Sequence, residues 1–199
     1  MYKRMNEQLQ KEGAMALVTG ASSGIGLAYA RELARRGYDL LLVSNEQERI
    51  GTVAEELAAA FGVKTIPLCM DLARSEAARE LYDYCEREKL QIGILVNNAG
   101  IFFFDDLTEV TPERIETMLL LHIRTVTLLC RYFGAAMKRR RAGYILNMSS
   151  LSAWTPAPGI SVYAASKSYI RKFSQMLRYE LHQYGVGVTT VCPGAIATG

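Results

Sequence analysis

Ala14-Met15-Ala16-Leu17-Val18-Thr19-Gly20-Ala21-Ser22-Ser23-Gly24-Ile25-Gly26 is the stretch that decides the fold. An apolar run ends at Gly20, three residues intervene before Gly24, and one more separates Gly24 from Gly26. The run reads as a buried strand. Gly24 to Arg36 then carries Leu27, Ala30, Leu33 and Ala34 at helical spacing, and Gly37 stops it. A strand, a glycine-rich turn and a helix in that order form a cradle for phosphate. Glycine permits the tight turn and lets backbone approach a pyrophosphate. The helix start offers free N–H groups and the positive end of its dipole. Ser22 and Ser23 add hydroxyl donors. Gly20, Ser22, Ser23, Gly24, Ile25 and Gly26 are therefore the first candidate ligand residues.

The alternation of strand and helix continues along the chain. Asp39 to Val43, Val63 to Cys69, Ile92 to Val96, Tyr144 to Met148 and Val186 to Cys192 read as further strands. Pro67 sits near the end of its run. Helices are predicted over Glu46 to Phe61, Ser75 to Glu88 with Ser75 as N-cap, and Ser161 to Tyr184. Thr111 and Pro112 start another that runs to about Arg140. The strands are continuous apolar runs, the pattern of strands covered on both faces. The expected fold is a doubly wound parallel α/β sheet with helices on both faces, as one domain over residues 1–199.

Composition narrows the function classes. Half of the 199 residues are hydrophobic and 22% are charged, as in globular proteins that bury one core. The net charge of +3 is too small to argue for nucleic acid. Lys138 to Arg141 form one basic cluster, which reads as a solvated helix C-terminus complementing the macrodipole. Cys69, Cys85, Cys130 and Cys192 form no CxxC pair and no Cys/His cluster, so neither zinc nor a disulfide framework is expected. Met1 to Gly13 has no apolar signal-like stretch. His122, Arg124 and Arg131 interrupt the most apolar long segment, Met118 to Phe133, so it reads as a helix buried in protein rather than a membrane span. A cytoplasmic location without membrane or nucleic-acid partners is the expectation.

The turn TGASSGIG resembles the TGxxxGxG turn of the short-chain dehydrogenase/reductase family, and other motifs agree with it in order. Asn97-Asn98-Ala99-Gly100, just after the fourth strand, is similar to that family's NNAG motif. Asp71, with Leu72 beside it, matches the acid that contacts the adenine ring. Pro193-Gly194 followed by Thr198 resembles the PG motif and threonine that hold the nicotinamide end. The resemblance runs from about Met15 to Thr198. It implies a Rossmann-type fold and an NAD(P) cofactor bound by Asn98, Ala99, Gly100, Asp71, Leu72, Pro193, Gly194 and Thr198 together with the glycine turn.

Tyr163 and Lys167 stand four apart and so share a helix face. A free tyrosine titrates near pH 10, and lowering it by ~3 units takes ~4 kcal/mol of phenolate stabilisation. An ammonium one turn away has the right sign of charge. Ser150 lies thirteen positions before Tyr163, at the end of the fifth strand, where ligands of such sheets bind. This combination resembles the family's Ser-Tyr-Lys triad. It implies that Ser150 holds the substrate oxygen, Tyr163 is the general acid–base, and Lys167 depresses the tyrosine and bonds the nicotinamide ribose. Ser149 reads as structural. The implied activity interconverts a small-molecule carbonyl and an alcohol.

Three departures from the family pattern stand out. His122 occupies the place of an asparagine that supports a proton relay to the lysine; a neutral histidine can relay protons or simply fill the core. After the second strand, where an acid favours NAD and a base favours NADP, the chain has Ser44-Asn45, with Glu46 one step later. Ser23, Ser44 and Asn45 can hydrogen-bond a phosphate, and Arg49 lies one turn on, so the reading leans to NADP over NAD. Relatives also continue past the Thr198 position with a substrate-covering helix pair and a seventh strand. A missing C-terminal segment is expected to leave Phe102, Phe103, Phe104, Trp154 and Pro156 exposed. The alternative to an enzyme is a non-catalytic dinucleotide-binding sensor or interaction module. The resemblance further implies a homodimer or homotetramer through the two long helices.

Overall fold

The four central strands of the sheet split their side chains between two cores. In a computed structural model that describes residues 9, 13–155 and 157–195, Met15 and Leu17 join one buried cluster while Ala16 and Val18 join another. Period-two alternation of the side chains does this, and both faces find apolar partners. The strands are Met15–Thr19 (β1), Leu40–Ser44 (β2), Thr65–Cys69 (β3), Ile92–Asn97 (β4), Gly143–Met148 (β5) and Val186–Val191 (β6). All pairings are parallel, and the order across the sheet is β3-β2-β1-β4-β5-β6.

Gly24–Arg35 (α1) and Gln47–Phe61 (α2) cover one face. Ala77–Arg87 (α3), Val126–Arg140 (α5) and Ser161–His182 (α6) cover the other. Pro112–Leu119 (α4) leads into α5 through a π-helical turn, Leu120–Thr125. The doubly wound parallel α/β fold expected from the sequence is the fold observed. Its long penultimate helix is real, with the π turn as an insertion that the sequence did not reveal.

Local boundaries differ from expectation, among them the end of α6 at His182 rather than Tyr184 and of β6 at Val191 rather than Cys192. Ser75 does not cap α3: it lies in a turn, and the helix starts at Ala77. β3 starts at Thr65 rather than Val63. Pro67 is tolerated because β3 is an edge strand, bonded only to β2. Among the described residues no helix is long and apolar enough to cross a membrane. The basic cluster closes α5 as expected: Lys138 and Arg141 flank the Tyr184 ring, and Arg140 donates to the Ile92 carbonyl.

The connections from β1 and β4 leave in opposite directions along the sheet, since β1 leads to β2 and β4 to β5. A crevice must open between their carboxyl ends. The candidate site lies there.

Candidate active site

The crevice is stitched by Thr19, which is not among the candidate site residues, and by Asn98, which is. Thr19, the last residue of β1, accepts from the Asn98 and Ala99 N–H groups at 3.0 Å each and donates to the Val96 carbonyl. Asn98 returns the bond, its Nδ2 donating to the carbonyls of Thr19 (3.1 Å) and Gly20 (3.2 Å). The two loops are thus fixed to each other at the switch point. Gly20 has φ +64°, and a Cβ there would meet Ala99 Cα at 2.9 Å. Gly26 does not face the crevice; a Cβ there would collide with the Gly20 carbonyl. Its role is to let α1 pack against the turn.

One cavity of about 380 Å³ opens over this stitch. Gly20, Ser22, Ser23, Gly24 and Ile25 line it from the turn, and Asn98, Ala99 and Gly100 from the β4 loop. Ser44, Asn45, Asp71 and Leu72 close its far end. No side chain caps the start of α1, and its first turn carries no acid. That start therefore presents uncompensated N–H groups, which an anion satisfies. A dinucleotide pyrophosphate fits this donor set. Ser44 Oγ donates to Ser22 Oγ at 2.9 Å, tying the turn to the end of β2.

A second cavity of about 690 Å³ adjoins the first, sharing Ile25, Asn98, Gly100 and Ile101. Ser150, Tyr163, Lys167, Pro193 and Gly194 line it. The predicted triad is thus brought to one wall, although Ser150 follows β5 and the other two sit on α6. Thr198 lies outside the described residues. Lys167 is buried and donates from Nζ to the Met148 carbonyl at 3.1 Å. Burial holds its ammonium down to about 8. Nζ stands 5.5 Å from the centre of the Tyr163 ring. Ser150 Oγ accepts from the Ser152 N–H and pairs with the Ser152 hydroxyl. Ser149 donates to the Lys167 carbonyl at 2.7 Å, which fixes β5 to α6.

His122 lines neither cavity. It sits in the π turn, 1% exposed, behind Gly100. Its Nε2 accepts from the Ile101 N–H at 3.0 Å. Ser166 spends its proton on the Tyr163 carbonyl (2.7 Å), so its Oγ accepts from His122 Nδ1 at 2.9 Å. That network assigns the neutral, Nδ1-protonated tautomer. Burial first, and then the charge of Lys167, push the imidazole down to about 3. Ser166 is a further site residue that the sequence did not single out. It is visible only once two helices are packed.

Aromatic residues ring the second cavity. Phe102 and Phe104, which line it, are 61% and 68% exposed; Trp154, 59% exposed, does not line it. Phe103 departs from the expected exposure: it is buried with Val110 and Met118, and the Arg114 guanidinium lies over it. Pro156 lies outside the described residues. Phe102 meets the Tyr163 ring edge-on at 4.9 Å. The Asp105 N–H donates to the Gly159 carbonyl at 3.0 Å, joining the loops after β4 and β5 into one wall.

Residues 14–199 match the family described as short chain dehydrogenase. The chain is 37% identical over 193 residues to very-long-chain 3-oxoacyl-CoA reductase of Anas platyrhynchos, covering 94% of this chain and 61% of that protein. It is 33% identical over 195 residues to inactive hydroxysteroid dehydrogenase-like protein 1 of Homo sapiens, covering 96% of this chain and 58% of that one. It therefore spans about three fifths of these relatives. Among solved structures, a short-chain dehydrogenase from Sphingobium yanoikuyae in complex with NADPH superposes with a TM-score of 0.88 at 36% identity, covering 93% of this chain and 72% of that one.

Proposed function

Because this chain belongs to the short-chain dehydrogenase family, we propose that it is an NAD(P)-dependent oxidoreductase interconverting a carbonyl and an alcohol, with Tyr163 as general acid–base. One observation carries the reading. Ser150, Tyr163 and Lys167 line a cavity continuous with the glycine cradle, so a reacting carbon and a nicotinamide can meet at the shared wall of Ile25, Asn98 and Gly100.

A nicotinamide held by the glycine turn, Asn98 and Lys167 would supply the hydride-transfer chemistry. The Ser150 hydroxyl holds the substrate oxygen. Tyr163 gives that oxygen a proton in reduction, or removes one in oxidation. Lys167, mostly charged at neutral pH with an ammonium held near 8, stabilises the phenolate left on Tyr163. His122 is a positioning residue: both ring nitrogens are engaged, and it fixes the Tyr163 backbone through Ser166 to the β4 loop. The exposed Phe102 and Phe104 on the cavity wall favour a substrate with bulky apolar groups beside the carbonyl.

A non-catalytic dinucleotide-binding module is the second reading, favoured by the likeness to a relative named inactive. Tyr163→Phe separates the two. We expect turnover of an apolar ketone to fall roughly 10²–10⁴-fold, with dinucleotide affinity unchanged. Equal turnover in the two proteins, or none in the wild type across a ketone and alcohol panel, would sink the catalytic reading.

A further inference from the structure

We infer that the adenosine end of the cleft selects a ribose with a free 2′-hydroxyl, so that this chain binds NADH more tightly than NADPH. The inference rests on the dinucleotide reading above and reverses the lean that the sequence alone suggested.

Of the groups offered to a phosphate, the Ser44 hydroxyl is committed elsewhere, which leaves Ser23 and Asn45 as neutral donors only. Ser44 spends its proton on Ser22 at 2.9 Å, and its oxygen accepts from the Glu46 N–H at 3.2 Å. Both serines are buried. Of the pair only Ser22 keeps a proton to give, and neutral donors do not neutralise a phosphate.

The charges have the opposite sign to those a phosphate needs. Glu46 and Asp71 both line the cavity, and among the described residues no lysine or arginine does. One Asp71 oxygen accepts from the Ala73 N–H, leaving the other open. The nearby cations do not compensate. Arg74 is paired with Glu80, and Arg49, one turn into α2, is exposed and does not line the cavity. The α2 N-terminus would attract an anion, but the Glu46 carboxylate stands at its N-cap position and Glu48 in its first turn. A 2′-phosphate carries between one and two negative charges, and Glu46, just past the end of β2, would repel it. A 2′-hydroxyl can instead donate to Glu46.

The test is calorimetric titration of the chain with NADH and with NADPH, repeated on Glu46→Gln and on the double variant Asn45→Arg, Glu46→Gln. Both positions are exposed, and Glu46 holds the fold only through its backbone. We expect NADH to bind about tenfold tighter in the wild type, and the preference to shrink as salt rises. Glu46→Gln should reduce it, and the double variant should invert it. Equal or tighter NADPH binding in the wild type, or a ratio unmoved in Glu46→Gln, overturns the inference while leaving the dinucleotide reading intact. Binding of neither nucleotide overturns both.

Discussion

The two cavities at the carboxyl edge of the sheet share a wall but are made of different material. The smaller is a surface of backbone: a glycine turn, a helix start and a loop, locked by Thr19, Asn98 and the Ser22–Ser44 pair. The larger is a surface of side chains: a triad on one wall and aromatic rings around the mouth. Backbone geometry can grip the common part of a ligand, because a phosphate asks only for N–H groups in the right place. Side chains must supply whatever is particular to the substrate. Sequence changes should therefore act differently on the two sides. A change beside the cradle should damage fold and binding together. A change at the aromatic rim should alter substrate choice alone.

Gly26→Ala tests the first half of that contrast and should have the largest effect. The added methyl has no room against the Gly20 carbonyl and the Asn98 amide, so α1 must move away from the turn it completes. We expect a loss of about 3 kcal/mol in denaturant unfolding, with dinucleotide affinity lowered more than tenfold. A variant that binds and unfolds like the wild type would mean that the cradle does not depend on close packing.

His122 lies buried behind Gly100, a residue of the wall the two cavities share, and its burial makes stability depend on pH. Its folded pKa, about 3, lies below the ordinary 6.5, so the unfolded chain binds more protons between these values. Stability from this group is complete above pH 6.5 and is lost as pH falls toward 3. At pH 5 the loss should be about 2 kcal/mol. The facing charge is Lys167, which makes an imidazolium still less welcome. His122→Asn has no such group. Denaturant unfolding at pH 7 and pH 5 should show the wild type losing about 2 kcal/mol more than the variant. Parallel losses would mean that His122 accepts a proton where it stands.

The contrast also explains what could be read in advance. Strand β1, its glycine spacing and the YxxxK pair on α6 are local patterns, and local patterns survive in a single sequence. The parallel sheet followed from strands apolar on both faces. The Ser22–Ser44 bond joins residues 22 positions apart, and the His122–Ser166 bond joins residues 44 apart. No local pattern announces either, so the offer of Ser44 to a phosphate looked open when it was not. Phe103 was misjudged for a related reason. Three phenylalanines in an irregular loop have no period, and only Arg114 and the Met118 helix show which ring turns inward.

Phe104→Ala should give the smallest effect and the most selective one. The Phe104 ring packs edgewise over Gly159, so near that a Cβ on the glycine would meet it at 3.0 Å, yet most of its surface stays exposed. Little folding energy rests on it. Covering such a ring with a ligand is worth about 1 kcal/mol, a part of the ~1.5–3 kcal/mol of a fully buried side chain. For a bulky apolar ketone we expect KM to rise roughly fivefold, with kcat nearly unchanged, because this contact forms before the reaction and persists through it. A small ketone that does not reach the rim should show no change, and neither should dinucleotide affinity. Equal losses for large and small ketones would place the aromatic ring in the structural frame of the triad and dissolve the division between the two cavities.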